Sequence, residues 1–304
     1  MRILVTGAEG FVGSNLVPLL AKDHEVTALD YLVSRDKSNL PEEVYYLNRD
    51  LSQLDVSEIP EVDLVIHLAT ISIERISETP FYKDVNLTSM FKILEYTIKN
   101  KADLIFSSSG SVYGSGANFT ETSPLNPLSD YSVTKILEEK HAKFCSDNYG
   151  LNVTVLRYTN CYGDTSYIDN KFYPGKKGVV RIFTEKAMRG EVLPVIRKQS
   201  RDFTFIDDIV SATQSVIGLQ GFNLFNVGTG IETKIEAVVD LIGQALDKET
   251  SFATMPPRKI DNLSRRSLNI DKISDLWTPK YKPKEGIELY IKRLQRQKKC
   301  VSAS

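Results

Sequence analysis

Cysteine and histidine are scarce in this chain of 304 residues. The three cysteines, Cys145, Cys161 and Cys300, are odd in number and far apart, so they predict neither a disulfide framework nor a metal ligand set. Only three histidines accompany them, which argues against the usual ligand sets of a structural zinc. We therefore expect a reduced protein that holds no metal.

Long apolar runs and an excess of one charge are also absent. No stretch approaches the roughly 18 consecutive apolar residues of a membrane span, and the first residues, MRILVTGAEG, do not have the pattern of a secretory signal. The 38 basic and 39 acidic side chains nearly cancel, which argues against nucleic acid as a partner. With 41% hydrophobic residues, the chain is expected to be a globular, cytoplasmic protein without a membrane partner.

Short aliphatic runs alternate with helical patterns through the first half of the chain. This alternation predicts an α/β fold with a doubly wound parallel sheet, because parallel strands are joined through helices. The predicted strands are Ile3–Thr6, Glu25–Asp30, Val44–Leu47, Leu64–Leu68, Leu104–Ser107 and Val153–Arg157. The predicted helices between them are Phe11–Ala21, Phe81–Lys99 and Tyr131–Asn148.

The second half has a different texture. Residues 161–178, rich in tyrosine and glycine, are predicted to form a loop, and helices are predicted near Val179–Arg189 and Ile235–Leu246. Between these helices, Arg201–Val210 leads to a further strand and turn with the sequence FNLFNVGTG. The last ten residues, QRQKKCVSAS, are expected to be frayed or disordered.

A strand, a glycine-rich turn and the start of a helix follow one another in RILVTGAEGFVG. In this context Gly7 permits a tight turn, Gly10 lets the backbone approach a pyrophosphate, and Gly13 allows close packing of helix on sheet. The helix N-terminus then offers N–H groups and a positive dipole end to phosphates. The pattern predicts a dinucleotide site, and the alternative is the same turn without a ligand.

One acidic residue ends the second predicted strand, and another follows the third. Asp30, 17 residues after Gly13, can accept hydrogen bonds from the adenosine ribose and would repel a 2′-phosphate, which favours NAD over NADP. Arg35 is close enough in sequence to keep NADP open as an alternative. Asp50 either caps an adjacent turn or reaches the adenine amine, and the residues alone do not distinguish these two roles.

A cluster of serines ends the fifth predicted strand, and a tyrosine and a lysine follow it in the sequence. Ser107 and Ser109 lie at the carboxyl end of the fifth strand, where open α/β sheets bind ligands. Further along, the sequence SDYSVTK places Tyr131 and Lys135 four residues apart, on one face of a helix. The alternative is a surface helix whose tyrosine and lysine have no special role.

The chemistry of hydride transfer explains this choice of residues. A free tyrosine has a pKa of roughly 10 and is a poor base at neutral pH, but a nearby ammonium and the positive nicotinamide ring favour the phenolate. Tyr131 can then take a proton from a substrate hydroxyl while hydride leaves the same carbon for the nicotinamide. Ser109 would share the hydrogen bond to that hydroxyl, and Lys135 would also hold the nicotinamide ribose.

The motifs TGAEGFVG, HLA, SSSGSVYG, YSVTK, LRYTNCYG, RDFTFIDDIV and FNVGTG occur in this order. They resemble those of the extended short-chain dehydrogenase/reductase family, and within it those of the NAD-dependent nucleotide-sugar epimerases and dehydratases, over Met1 to about Arg293. The resemblance implies a Rossmann domain formed by residues 1–160 plus about 205–228. It also implies a smaller, mainly C-terminal α/β substrate domain formed by about 161–204 plus 229–304.

The resemblance also implies a role for each residue that matches a family motif. Catalytic roles are implied for Ser109, Tyr131 and Lys135. Cofactor contacts are implied for Gly7, Gly10, Phe11, Val12, Gly13, Asp30, Asp50, Leu51, Leu68, Ala69, Ser107, Tyr131 and Lys135. Substrate contacts are implied for Ser109, Ser111, Tyr131, Asn160, Arg201 and Arg258, the last three at the phosphates of a nucleotide-diphosphate sugar. Ordinary surface charge is the alternative for both arginines.

The residues after Ser109 distinguish the reactions of the family. At the two positions after this serine, the family's 4,6-dehydratases need an acid and a base, and its decarboxylases carry a glutamate. This chain has Gly110 and Ser111 there, and neither residue can act as an acid or a base. Small residues at these positions resemble the UDP-glucose (UDP-galactose) and UDP-glucuronate 4-epimerases. We therefore predict an epimerase that oxidises C4 and returns hydride from tightly bound NAD. The alternatives are a nucleotide-sugar 4-ketoreductase or dehydrogenase, a 4,6-dehydratase, and a non-catalytic NAD-binding protein.

Departures from the family pattern lie in the second half. The loop VIRKQSR is shorter and more basic than usual, DLW replaces leucine–glycine–tryptophan, and the segment after Arg258 lacks a glycine–aspartate pair. The extra arginines, Arg265 and Arg266, either face a sugar carboxylate or are solvated. These changes leave the sugar and the nucleotide base open.

The resemblance finally implies a homodimer. In the family, the helices corresponding to Phe81–Lys99 and Tyr131–Asn148 pair with their symmetry mates in a four-helix bundle. Apolar residues of the first helix either belong to that interface or face the sheet. They are Phe81, Val85, Met90, Ile93 and Leu94.

Overall fold

The computed structural model describes residues 1–31, 40–71, 82–164, 178–256 and 265–301. The strands are β1 Arg2–Thr6, β2 Glu25–Asp30, β3 Tyr45–Asn48, β4 Leu64–His67, β5 Asp103–Ser109, β6 Val153–Tyr158, β7 Cys161–Tyr162, β8 Leu193–Val195, β9 Ser200–Asp202, β10 Thr204–Phe205, β11 Phe222–Val227, β12 Glu232–Lys234 and β13 Phe252–Thr254. The helices are α1 Gly13–Leu20, α2 Tyr82–Asn100, α3 Asp130–Tyr149, α4 Val179–Met188, α5 Ile206–Ser215, α6 Ile235–Leu246 and α7 Pro283–Val301. The sequence predictions for Arg35, Phe81 and Arg258 lie outside the described residues.

A seven-stranded sheet has the order β11-β6-β5-β4-β1-β2-β3. β1 pairs in parallel with β2 on one side and with β4 on the other, so the strand order reverses between β1 and β4. In doubly wound sheets a ligand crevice opens at such a reversal, outside the carboxyl ends of the strands. The predicted α/β class and doubly wound sheet are confirmed.

The central strands are apolar on successive residues because both faces of the sheet are covered. Residues 3–6 of β1 and all four residues of β4 are buried. Apolar residues from the sheet and its covering helices form one continuous core, which includes Leu4, Val65, Ile93 and Phe106. Met90, Ile93 and Leu94 of α2 are at most 1% exposed, so they belong to this core and not to an outer face.

The structure corrects two predictions about the second half. The final segment, expected to be disordered from Gln295, continues as helix α7 to Val301. No proline or glycine follows Gly286 in this helix, and its glutamine, lysine and arginine residues all favour helix. Residues 206–215, for which no helix was predicted, form α5, with Asp207 and Asp208 in its first turn and Ile209 and Val210 buried.

Two compact units divide the chain. The first comprises Met1–Val112, Ser129–Arg157 and Val216–Phe225, and contains β1–β5, α1–α3 and most of β6 and β11. The second comprises Tyr113–Leu128, Tyr158–Ser215 and Asn226–Ser304, in which helices α4, α6 and α7 pack together. Across the described ranges, no helix is both long and apolar enough to cross a membrane.

A buried histidine ends β4. The Nδ1 atom of His67 lies 2.7 Å from the Thr6 hydroxyl on β1, and the side chain is inaccessible to water. Burial, together with the positive charge of Lys135, lowers the pKa of His67 to about 3. The folded protein therefore keeps this imidazole neutral, whereas the unfolded chain takes up a proton below a pH of about 6.5.

We predict that His67 makes stability fall as the pH drops. The neutral imidazole contributes fully to the free energy of unfolding at pH values above its pKa in the unfolded chain. That contribution is lost as the pH falls from about 6.5 towards 3. Between pH 7 and pH 5 the loss amounts to about 2 kcal/mol. Urea unfolding at both pH values should show a smaller loss for His67→Asn than for the wild type, and an unchanged loss for the control His24→Asn. Equal pH dependence of all three proteins would contradict this account.

Candidate active site

The turn after β1 has the geometry that its glycines predict. Gly7 has a φ of 67°, in the left-handed region, and its N–H donates to the Leu29 carbonyl of β2 at 2.9 Å. The Gly10 N–H donates back to the Gly7 carbonyl at 3.0 Å, which closes the turn. The chain then enters α1 at Gly13, directly beside the strand reversal.

Side chains are excluded from this turn by close backbone contacts. A Cβ atom on Gly13 would lie 2.2 Å from the Gly7 carbonyl oxygen and 2.7 Å from the Cα of Ala8. One on Gly7 would lie 2.7–2.8 Å from the backbone of Leu68 and Ala69 after β4. Gly13 is therefore required by the turn itself, whereas the sequence analysis assigned it to contact between helix and sheet.

The first turn of α1 is open to an anion. Its cap residue Val12 makes no side-chain capping hydrogen bond, and no acidic side chain lies in the first turn of this described helix. A helix N-terminus in this state presents N–H donors and the positive end of its dipole. The turn and the helix thus fit the pyrophosphate of a dinucleotide. The individual contacts of Phe11 and Val12 stay a prediction.

Two carboxylates lie at or just after the ends of β2 and β3. Asp30, at the end of β2, accepts from the backbone N–H groups of Glu9 at 2.8 Å and Tyr31 at 2.7 Å, so its orientation is fixed. Asp50 accepts from the N–H and the hydroxyl of Ser52 at 2.9 and 2.7 Å, which is the capping role considered in the sequence analysis. The contacts of Asp30 with ribose and of Asp50 and Leu51 with adenine remain predictions.

The ends of β4 and β5 meet at the same edge. After β4, the N–H groups of Leu68 and Ala69 donate to the carbonyl and hydroxyl of Thr6. At the end of β5, Ser107 donates to the His67 carbonyl at 3.4 Å. The Ser109 hydroxyl accepts from the N–H of Ser111, which lies in the short 3₁₀ turn Gly110–Tyr113.

Helix α3 carries the tyrosine and the lysine, and its ends are well defined. Ser129 caps the N-terminus by accepting from the Ser132 N–H at 3.2 Å, and Gly150 ends the helix in the left-handed conformation. Tyr131 is half-buried, whereas Lys135 is 1% exposed. The Lys135 Nζ atom lies 5.9 Å from the centroid of the Tyr131 ring, so an ammonium faces the phenol as predicted from the spacing.

Two buried ion pairs on α3 were not found from the sequence. Lys135 Nζ donates to Glu138 at 2.8 Å, and both side chains are 2% exposed. Burial opposes a charge on Lys135, but the Glu138 carboxylate, together with Tyr131 and Glu139, outweighs it, so the pKa of the ammonium is raised. Glu139 accepts from Arg157 of β6 at 2.8 and 2.5 Å and from the Ser108 hydroxyl at 2.5 Å. The three- and four-residue spacing from Lys135 was the only available signal.

The second unit contains the residues predicted to bind phosphates. Asn160 has a φ of 30°, and its side-chain amide donates to the Asp202 carbonyl at 3.1 Å. Arg201 of β9 is half-buried and donates to the Ser200 carbonyl at 2.7 Å. The structure therefore brings the loop after β6 and strand β9 together, whereas Arg258 is outside the described residues. Contact of these residues with a substrate stays a prediction.

Asp202 holds the turn after β11 in place. Its carboxylate is fully buried and accepts from the N–H groups of Thr229 and Gly230 at 2.9 and 3.0 Å. Burial raises the pKa of this carboxyl group. This aspartate connects the motifs RDFTFIDDIV and FNVGTG, a link that neither motif predicts by itself.

Arg265 and Arg266, for which the sequence left a sugar contact or solvated charge open, have different surroundings in the structure. Arg265 is exposed and forms a two-bond ion pair with Glu232, at 2.7 and 2.6 Å, so it belongs to a solvated surface pair. Arg266 is 7% exposed and its Nε donates to the Gly114 carbonyl at 3.4 Å. A buried arginine bonded to a backbone carbonyl was not among the two interpretations drawn from the sequence, which were a contact with a sugar carboxylate and solvated charge.

The arrangement defines a class of protein. A glycine turn without room for side chains, an acidic residue after β2, and a tyrosine and lysine on one face of α3 characterise the extended short-chain dehydrogenases and reductases. The family described as the NAD dependent epimerase/dehydratase family matches residues 3–228. The chain belongs to this family, its cofactor is NAD, and the resemblance found in the sequence is confirmed.

Relatives cover almost the whole chain. It is 33% identical over 304 residues to a putative UDP-glucose 4-epimerase of Methanocaldococcus jannaschii, covering 95% of this chain and 97% of that protein. The crystal structure of UDP-glucose 4-epimerase with UDP-glucose from Thermotoga maritima has a TM-score of 0.87 at 30% identity, covering 97% and 99% of the two chains. The Thermus thermophilus UDP-glucose 4-epimerase in complex with NAD gives 0.85 at 30% identity, with the same coverage.

We predict that Gly13→Ala distorts the cofactor turn. Because the new Cβ meets backbone atoms, which cannot move independently, the turn must shift. Overpacking of this kind costs about 1–3 kcal/mol, and we expect NAD affinity to fall at least about tenfold. Titration calorimetry with NAD and thermal unfolding measure both effects. Gly178→Ala is the control, since no atom of the described residues lies within 4 Å of its Cβ position. Unchanged NAD affinity in Gly13→Ala would contradict the assignment of the turn.

Proposed function

We propose that this protein is an NAD-dependent 4-epimerase of a nucleotide-diphosphate sugar. The observation that carries the proposal is the pair Gly110 and Ser111 beside Ser109, combined with Tyr131 and Lys135 on α3. The site has the residues for oxidation and reduction at a hydroxyl-bearing carbon. It has no acid or base at the two positions where elimination or decarboxylation would need one.

The chain's own residues have distinct tasks in this reaction. Tyr131 takes the proton of the C4 hydroxyl and later returns it to the oxygen of the epimerised sugar. Ser109 shares a hydrogen bond with the same oxygen, and Lys135 stabilises the phenolate through its positive charge. When bound, NAD supplies the acceptor and donor of hydride. Because the hydride is returned in each cycle, no net oxidant is consumed.

Recognition of the diphosphate is assigned to the second unit. Asn160 and Arg201 present an amide and a guanidinium, which are suitable donors for phosphate oxygens. Arg258 is proposed for the same role from the family pattern. Two of the relatives named above are UDP-glucose 4-epimerases and the third is a putative one, so UDP-glucose is the first substrate to test.

The proposal predicts epimerisation without added cofactor. Purified protein incubated with UDP-, GDP-, CDP- and dTDP-sugars should convert one of them into its C4 epimer, read by NMR of the sugar ring, and acid should release bound NAD. Tyr131→Phe should lower kcat by about 10²–10⁴-fold, because the general base is lost. Tyr149→Phe, which changes an exposed tyrosine on the same helix, should retain wild-type activity.

A nucleotide-sugar ketoreductase is the second candidate. The same Tyr131 and Lys135 would serve it, with Tyr131 donating a proton to a keto oxygen. Its signature would be loss of cofactor during purification and turnover only with added NAD(P)H. That result would contradict the epimerase, whereas wild-type activity in Tyr131→Phe would contradict both enzymatic proposals.

We also propose that the protein is a homodimer through α2 and α3. Helices α2 and α3 pack against each other, and apolar side chains on their outer faces are exposed. The exposed fractions are 46% for Phe91, 42% for Val133, 46% for Leu137 and 51% for Phe144. The ring of His141 lies against Phe91, with ring centroids 4.8 Å apart, and extends this apolar surface. Grouped exposed apolar side chains of this kind favour an interface, and a second copy of the same two helices would complete a four-helix bundle.

The dimer is tested with a double variant, Phe91→Glu with Leu137→Glu. Two buried like charges across a two-fold axis should dissociate the dimer and give a species of the chain mass, 34.2 kDa, in light scattering. Val192→Glu, at an exposed apolar residue of the second unit, is the control and should remain dimeric. A monomeric wild-type protein would contradict the proposal.

A further inference from the structure

Lys135 is buried together with its own counter-ion. Its Nζ atom donates to Glu138 Oε2 at 2.8 Å, and both side chains are 2% exposed. The two residues are three apart on α3, so one turn of helix fixes their separation. Lysine and glutamate are among the residues least often buried, and they are buried here as a pair.

The neighbouring carboxylate cannot replace Glu138. Both oxygens of Glu139 are engaged by Arg157, and one of them also accepts from the Ser108 hydroxyl. Glu139 and Arg157 thus balance each other, and Glu138 balances Lys135. The other titratable groups that face Lys135 are Tyr131 on its own helix and His67 on β4.

A buried ammonium without a nearby anion readily loses its proton, because burial disfavours the charged form. His67 stays neutral and supplies no anion, and Tyr131 supplies one only after it has lost its proton. An ammonium has three N–H donors, of which Glu138 occupies one. Among the described residues no other hydrogen bond occupies this ammonium, so the remaining two donors are available towards Tyr131 and the cofactor.

We propose that Glu138 is a positioning residue, which holds Lys135 protonated and in place beside Tyr131 by pairing with it in a site closed to water. The proposal deepens the function proposed above and rests on the roles given there to Tyr131 and Lys135. Glu138 itself touches neither substrate nor cofactor in this scheme. It acts only through the lysine.

The direct test follows the protonation of Lys135. Protein labelled with ¹³C at lysine Cε is titrated by NMR, and Lys135→Arg identifies the signal. We expect the Lys135 signal of the wild type to titrate above the ordinary range of a lysine, because its pKa is raised. In Glu138→Gln it should titrate at least one pH unit lower, because the side chain keeps its shape but loses its charge. Asp147→Asn, which removes an exposed carboxylate paired with Lys143 on the same helix, should leave it unchanged.

The pH dependence of kcat and the variant Glu138→Asp, whose side chain is shorter, complete the test. The alkaline limb of the kcat profile should move down by at least one pH unit in Glu138→Gln and by less in Glu138→Asp, which withdraws the carboxylate by one methylene. If Glu138→Gln does not fold, the Lys135 titration of Glu138→Asp decides, and it must still lie below that of the wild type. A Lys135 titration equal to the wild type in a folded Glu138 variant overturns the proposal. If no nucleotide sugar is converted, the proposed function fails while the NMR titration still decides the role of Glu138.

Discussion

The reversal of strand order between β1 and β4 is the constraint on which the rest of the site depends. The connections that leave these two neighbouring strands diverge, so the sheet edge between them is left uncovered. The chain fills that edge with backbone alone: Gly7 turns in the left-handed region, and the backbone of Ala69 lies where a side chain on Gly7 would be. A surface made of backbone groups presents donors to a phosphate without side chains in the way.

The second constraint is charge taken out of water. Helix α3 buries a lysine and two glutamates on the face that also carries Tyr131, and β6 supplies the arginine that completes the set. The buried groups are two cations and two anions, so the cluster is neutral as a whole. Such a cluster contributes little to stability by itself, but removing one member leaves an uncompensated charge. It therefore fixes where each charge lies, which is what a site for proton transfer requires.

Much of the fold could be predicted because the signal was periodic. The strand Glu25–Asp30 and the helix Ile235–Leu246 have the predicted bounds. A run of successive apolar residues indicates the buried strand, and regularly spaced apolar residues indicate the helix. The helix at Ile206–Ser215 was missed because two aspartates follow its first residue and conceal the apolar spacing behind them. The extent of the last helix is not predicted because a polar, basic sequence is typical of disordered termini, although the same residues favour helix.

The site was predicted less completely than the fold. Short motifs identified Gly7, Tyr131 and Lys135, because turn chemistry and helical spacing act locally. The burial of Arg266 and the link from Asp202 to Thr229 depend on segments far apart in the chain, and no local pattern announces them. Met90 illustrates the same limit, because an apolar residue on a helix can face either the sheet or a partner until packing decides.

The ion pair on α3 has a consequence for how this site can change through time. Lys135 and Glu138 are encoded within four consecutive codons, so the pair is inherited as a single short stretch of sequence. Loss of either residue alone would leave the charge of the other unpaired in the protein interior. Substitution at one position therefore favours a compensating substitution at the other. Other chains with the same pair can be found by a sequence motif: a tyrosine, any three residues, a lysine, any two residues and a glutamate.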